Sequence, residues 1–248
     1  MASVFDKTAL KKDSATSSAV ALIMILAVLA VCAGVWALLV VPNEIRMKDE
    51  GNFEAAVSVL SDIVLMSDGT DYTVYFALPA GTLWLANCGE VYTNNGESAP
   101  LTTLIYSPGK ETSFGIMAGG VWRMDSGNAA WILYPKISHD SDTVRFQLPV
   151  FLGDAAYGSS KPIPLGVGLE ENSMHTISSN KLTVSANEEW AANLFVTLFQ
   201  ETAFSYDTLD IEISRNRNRV TAEFSTKEGD ICLELDEKRY KICTEDKI

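Results

Sequence analysis

Apolar residues follow three rhythms along this chain. From Ala19 to Val41 (AVALIMILAVLAVCAGVWALLVV) nearly every position is apolar, and no charged residue stands between Ser14 and Val41. At about 1.5 Å per helical residue the run is long enough to cross a hydrocarbon core of about 30 Å. A helix on a soluble core keeps a polar face, and this run has none. After Pro42 the spacing becomes amphipathic: Ile45, Phe53, Ala56, Val57, Leu60, Ile63, Val64 and Met66 recur every three or four positions, with Gly51 a weak point among them. The pattern predicts one long N-terminal helix, kinked near Pro42. It would span a membrane over 15–41 and extend outside it over 42–67.

From Tyr72 the period shortens to that of strands. Runs rich in aromatic and β-branched residues fall at 72–78, 82–86, 102–106, 121–124, 130–134 and 143–150. Turn signals separate them: Pro79-Ala80-Gly81, Asn94-Asn95-Gly96, Ser107-Pro108-Gly109 and Asp125-Ser126-Gly127-Asn128. Strands at this spacing predict an antiparallel sandwich or barrel. The stretch 153–168, with its prolines and glycines, reads as a long surface loop and a candidate sub-boundary. A second amphipathic helix is marked by Ser185 and Glu188 at capping-box spacing, followed by Trp190, Leu194, Phe195, Leu198 and Phe199 on one face. That stripe reads as core. Two more hairpins follow. One pairs 209–214 with 220–225 around Arg215-Asn216-Arg217-Asn218-Arg219, whose three arginines read as a solvated turn rather than an anion grip. The other folds Ile231–Cys243 (ICLELDEKRYKIC) at Glu237-Lys238.

The last hairpin sets Asp236 opposite Arg239 and Glu234 opposite Lys241, with Leu235 facing Tyr240 on the other side. Cys232 then faces Cys243, a candidate disulfide with no catalytic meaning. The free-thiol alternative stays open, because Glu-Lys lacks the Gly or Asn usual in such a turn and the register makes the cysteines a hydrogen-bonded pair. Of the four cysteines, Cys32 lies inside the apolar run. No CxxC occurs, which argues against a zinc site.

The flanks of the apolar run decide between a leader and an anchor. A secretory signal has an apolar stretch of about 7–15 residues and a small-residue cleavage site; this run is longer and ends at Val40-Val41-Pro42. The reading is therefore a stable anchor. Lys7, Lys11 and Lys12 precede it, against Arg46 and Lys48 after it, so the positive-inside bias places the N-terminus in the cytoplasm and residues 43–248 outside. Trp36 falls near the outer end, suited equally to the headgroup region or to packing in the membrane. With a net charge of −13 the chain should repel nucleic acid and anionic lipid headgroups.

Motifs for catalysis are absent. His139 and His175 are the only histidines, and His139-Asp140-Ser141-Asp142 lacks the spacing and closing Glu of a calcium loop. There is no Gly-x-Ser-x-Gly elbow, no His-Glu-x-x-His and no phosphate-binding glycine loop. The reading is no enzyme, no cofactor and no metal.

The start of the chain carries a resemblance. Lys11-Lys12-Asp13-Ser14-Ala15-Thr16-Ser17-Ser18-Ala19-Val20-Ala21-Leu22 resembles the N-terminus of archaeal type IV pilin-like proteins, in which a short basic leader meets a small-residue patch and then a long apolar helix. Asp13, Ser14, Ala15 and Ser17 match that patch. Gly81-Thr82-Leu83, and the run from Leu104-Ile105-Tyr106 through Gly119-Gly120-Val121 to Tyr134-Pro135, resemble pilin-like surface proteins of methanogens. The resemblance implies a class III signal peptide. A prepilin peptidase would cut at the boundary formed by Lys12, Asp13, Ser14 and Ala15, leaving the apolar helix intact. It also implies a bilayer and other pilin-like subunits as partners, with Ala27, Ala30, Ala33 and Gly34 permitting close approach. Two departures stand out: Ser14–Val41 lacks the glutamate of bacterial pilins, and Asp13 replaces the usual small residue after the basic one. No Asn-x-Ser/Thr sequon is present either.

The expected fold is thus α+β. A short cytoplasmic leader (1–14) precedes the long helix, membrane-spanning in its first half. A mainly antiparallel, β-sandwich-like extracytoplasmic domain (68–248) follows, with one further amphipathic helix. The expected function is that of a membrane-anchored subunit or minor component of a type IV pilus-like filament at the plasma membrane. The alternative is a non-assembling single-pass surface protein whose β-domain binds a ligand or an envelope partner.

Overall fold

The computed structural model describes residues 24–30, 41–66, 73–92, 98–109, 111–140, 142–153, 156–177, 180–226 and 231–244. It overturns the α+β expectation. The chain is mostly β, built as two curled sheets, and among the described residues no long N-terminal helix is seen. Helix α1 covers 24–30 and α2 covers Val41–Met66. No described helix is long and apolar enough to cross a membrane. The reason for α2 is visible in its composition: Glu44, Arg46, Lys48, Asp49, Glu50, Glu54 and Asp62 interrupt its apolar positions, so only one stripe seeks burial. The remainder of 15–41 lies outside the described residues.

The chain divides into two compact units, Met1–Gly51 and Asn52–Ile248. No boundary falls at 153–168. That stretch is not a loop either, since it holds β9 (Ala156–Ser159) and the start of β10 (Ile163–Ile177). Pro164 misleads there: it faces Ala77 of β1 (Val74–Leu78), and among the described residues pairing with the strand on the other side starts at Leu165. A proline is tolerated near the first residue of a strand, and Pro164 is the second residue of β10.

The five-stranded sheet has the order β1-β10-β14-β8-β7, with β7 at Ile137–Asp140, β8 at Thr143–Leu152 and β14 at Cys232–Thr244. Every pairing in it is antiparallel except β14 on β8, which is parallel. The second sheet has the order β12-β13-β11-β2-β3-β4-β5-β6, with β9 also paired to β2. Its strands are β2 (Gly81–Tyr92), β3 (Ser98–Ser107), β4 (Thr112–Met117), β5 (Gly120–Asp125), β6 (Asn128–Leu133), β11 (Lys181–Ala186), β12 (Leu209–Asn216) and β13 (Arg219–Thr226).

The hairpin expected over Ile231–Cys243 does not form. That segment is the single strand β14, inserted between β10 and β8. The alternation that suits a folded-back hairpin suits a long central strand equally, and the missing turn residues decide for the strand. Leu233 and Leu235 enter one core and Tyr240 and Ile242 the other.

Two hydrophobic cores result. One lies under α3 (Glu189–Ser205), where Leu194, Phe195, Leu198 and Phe199 meet Val184, Phe224, Phe146 and Trp122. The other lies under α2, where Ala56, Leu60 and Ile63 meet Leu83, Leu104, Phe114, Phe151 and Leu165. Phe53 adds an edge-to-face contact with Phe114 at 5.1 Å, and the Arg123 guanidinium lies 4.9 Å over the Phe53 ring. Successive residues of β8 serve both cores, with Val150 in the first and Phe151 in the second.

Helix α3 is tied to both edges of the larger sheet. Arg215 on β12 donates to Asn193 Oδ1 at 2.6 Å and to Glu189 Oε1 at 3.3 Å, and Trp131 Nε1 on β6 donates to the Leu194 carbonyl at 2.7 Å. The expected capping box is not made. Ser185 sits in β11 opposite Arg219, and Glu188 precedes the helix in extended backbone with no side-chain cap. The arginine-rich turn is tight, since Asn216 pairs with Arg219 and Arg217 takes φ +54°. Arg219 lies 5.2 Å over the Tyr92 ring, so two of the three arginines are engaged within the chain.

Candidate functional site

The predicted leader boundary, Lys12, Asp13, Ser14 and Ala15, lies outside the described residues. Of the apolar run, α1 is described, and it stands in the open: Met24 is 64 % exposed and Leu29 59 %, with Ile25, Leu26 and Val28 similarly bare. Successive residues turn by about 100°, so these five side chains cover more than one face. Large apolar surface of this kind marks contact with lipid or protein.

Cys232 and Cys243 are brought to opposite ends of β14. At about 3.3 Å per residue they stand roughly 36 Å apart, far beyond the reach of a disulfide. Both are free thiols, as is buried Cys88. The expected outcome of thiol labelling in the native protein follows from exposure. Among these three, exposed Cys243 reacts first, half-buried Cys232 more slowly and Cys88 only on unfolding, as peptide mapping would read. A mass two protons short at Cys232 and Cys243 would contradict this.

One cluster of charged groups has no counterpart in the pattern read from the sequence. It forms where β10 and β14 pair. Glu237 is 3 % exposed, and its Oε1 accepts from Arg239 Nε at 2.7 Å. Arg239 Nη1 reaches Glu171 at 3.1 Å, and His175 Nε2 stands 3.3 Å from Glu237 Oε2. The hydrogen bond and charge of Glu237 hold the Arg239 guanidinium above its ordinary range. The sequence signal is the mixed charge of Glu237-Lys238-Arg239, of which the hairpin reading puts Glu237-Lys238 in the turn and Arg239 opposite Asp236. Arg239→Ala is expected to cost up to about 3 kcal/mol, because it leaves a buried carboxylate without its guanidinium. Glu171→Ala, on the exposed end, should stay within about 0.5 kcal/mol. Urea unfolding of the two variants compares them.

On the other face of β14, Arg145 Nε and Nη2 donate to Glu234 Oε2 at 2.9 and 2.7 Å. Lys181 and Glu223, register partners on β11 and β13, meet at 2.8 Å. That pairing raises the lysine and lowers the carboxylate. These are surface ion pairs of small energetic weight.

Two buried acids shift strongly. Burial, reinforced by the Glu188 charge, pushes the Cys88 thiol from 9.0 up to about 12. Burial alone pushes the Tyr106 phenol from 10.0 up to about 12, while its hydroxyl donates to the Ala80 carbonyl at 3.0 Å. A raised folded value means that stability is complete below the unfolded value and is lost as pH rises through the folded one. Thermal unfolding temperatures should therefore hold up to about pH 9 and fall between about 9 and 12. Cys88→Ala should remove the first part of that fall.

His139 stacks edge-on against Tyr206 at 5.8 Å, and no group of three or more His, Cys, Asp or Glu among the described residues is placed to hold a metal. A cavity of about 10 Å³ lies among Ile137, Val144, Phe146, Ile177, Leu182, Phe224, Leu233 and Glu234. That volume is about one water molecule and too small for an organic ligand. Compared with models of protein families, with curated proteins and with solved structures, the chain matches none.

Proposed function

We propose that this chain is a pilin-like surface protein of the archaeal type IV class, a subunit or minor component of a filament. Its apolar run Ala19–Val41 holds it at the plasma membrane or in a filament core, with residues 43–248 outside the cell. The observation that carries this reading is α1, whose apolar side chains are bare on several faces and need lipid or neighbouring subunits around them. The small-residue patch at Asp13–Ser17, directly ahead of that run, supports the pilin-like assignment over an ordinary anchor. The compact unit Asn52–Ile248 suits display on a surface.

Expression of the full chain in an archaeal host tests this by fractionation, protease treatment of whole cells and electron microscopy. The reading expects the chain in the membrane or sheared-filament fraction, with the β-rich unit cut by external protease. Recovery in the soluble cytosolic fraction, protected from protease, would overturn it. An anchored, protease-accessible chain that never enters filaments would leave the non-assembling surface protein in its place.

A further inference from the structure

We draw no further inference here: the strongest candidate, the apolar patch that Ile132 and Tyr134 expose at the β6 edge of the larger sheet, carries none because nothing in the structure shows what covers it.

Discussion

Replacing Gly89 by alanine is expected to unfold the junction between β2, β11 and α3. Gly89 takes φ +140°, a conformation that residues with a side chain rarely adopt. A Cβ there would stand 2.0 Å from the Ser185 carbonyl oxygen and 2.9 Å from the Ala186 Cα, both backbone atoms that cannot swing aside. The glycine closes a bulge in β2, where pairing with β3 shifts between Asn87 and Gly89. Asparagines bind that bulge together. Asn87 Oδ1 accepts from the Gly89 amide at 2.9 Å, the Asn187 amide donates to the Cys88 carbonyl at 2.7 Å, and Asn187 Nδ2 donates to the Asn87 carbonyl at 2.9 Å. Asn218 joins from the arginine-rich turn, where its carbonyl accepts from the Ala186 amide at 2.9 Å. Backbone strain of about 1–3 kcal/mol adds to the loss of these bonds and of the β2–β11 ladder. Gly89→Ala should therefore cost more than about 4 kcal/mol, in the exceptional range for one substitution. Urea unfolding followed by circular dichroism measures it, and a cost below about 1 kcal/mol would contradict the junction described.

The second large effect is expected at Trp122. This side chain is fully buried, its Nε1 donates to Thr103 Oγ1 at 3.1 Å, and its ring lies 4.8 Å from Trp190. Space for it comes from Gly115 on β4, where a Cβ would fall 2.6 Å from Trp122 Cζ2 and 2.6 Å from the Leu104 carbonyl oxygen. Truncation to alanine removes the largest buried ring of the α3 core and strands the buried Thr103 hydroxyl. The expected cost is about 3–5 kcal/mol. Trp122→Phe keeps most of the volume and should recover more than half of it. Gly115→Ala approaches the same packing from the other side and should be harmful without removing a single atom. If Trp122→Ala and Gly115→Ala both left the unfolding midpoint unchanged, the packing of β4 against β5 would be wrong as described.

How much of this was legible depended on whether a local signal had a competitor. Leu194, Phe195, Leu198 and Phe199 announced a buried helical face, and they are buried. The hairpin of β12 and β13 was readable because Arg215–Arg219 interrupts two alternating runs. The strands β3, β5 and β6 overlap the segments whose aromatic and β-branched content marked them. Where signals compete, the local one misleads. Pro162 and Pro164 suggested a loop, but the long strand β10 begins between them, at a strand start where proline is tolerated. The charge alternation of 232–243 suggested a strand folding on itself. In the structure its partners are β8 and β10, distant in sequence, and local pairing rules cannot see them. The cluster of Glu171, His175, Glu237 and Arg239 was hidden for the same reason. The three- and four-residue spacing of 45–66 announced α2, whereas the single long helix from residue 15 is not seen among the described residues and the fold is carried by two sheets.

If the proposed pilin-like leader is present, the mature N-terminus carries its mark. The full chain would be expressed with and without an archaeal prepilin peptidase, and its intact mass recorded. The expected result is a peptidase-dependent loss of the residues up to and including Ser14 or Ala15, with the apolar run retained. A chain whose N-terminus is the same with and without the peptidase would contradict it.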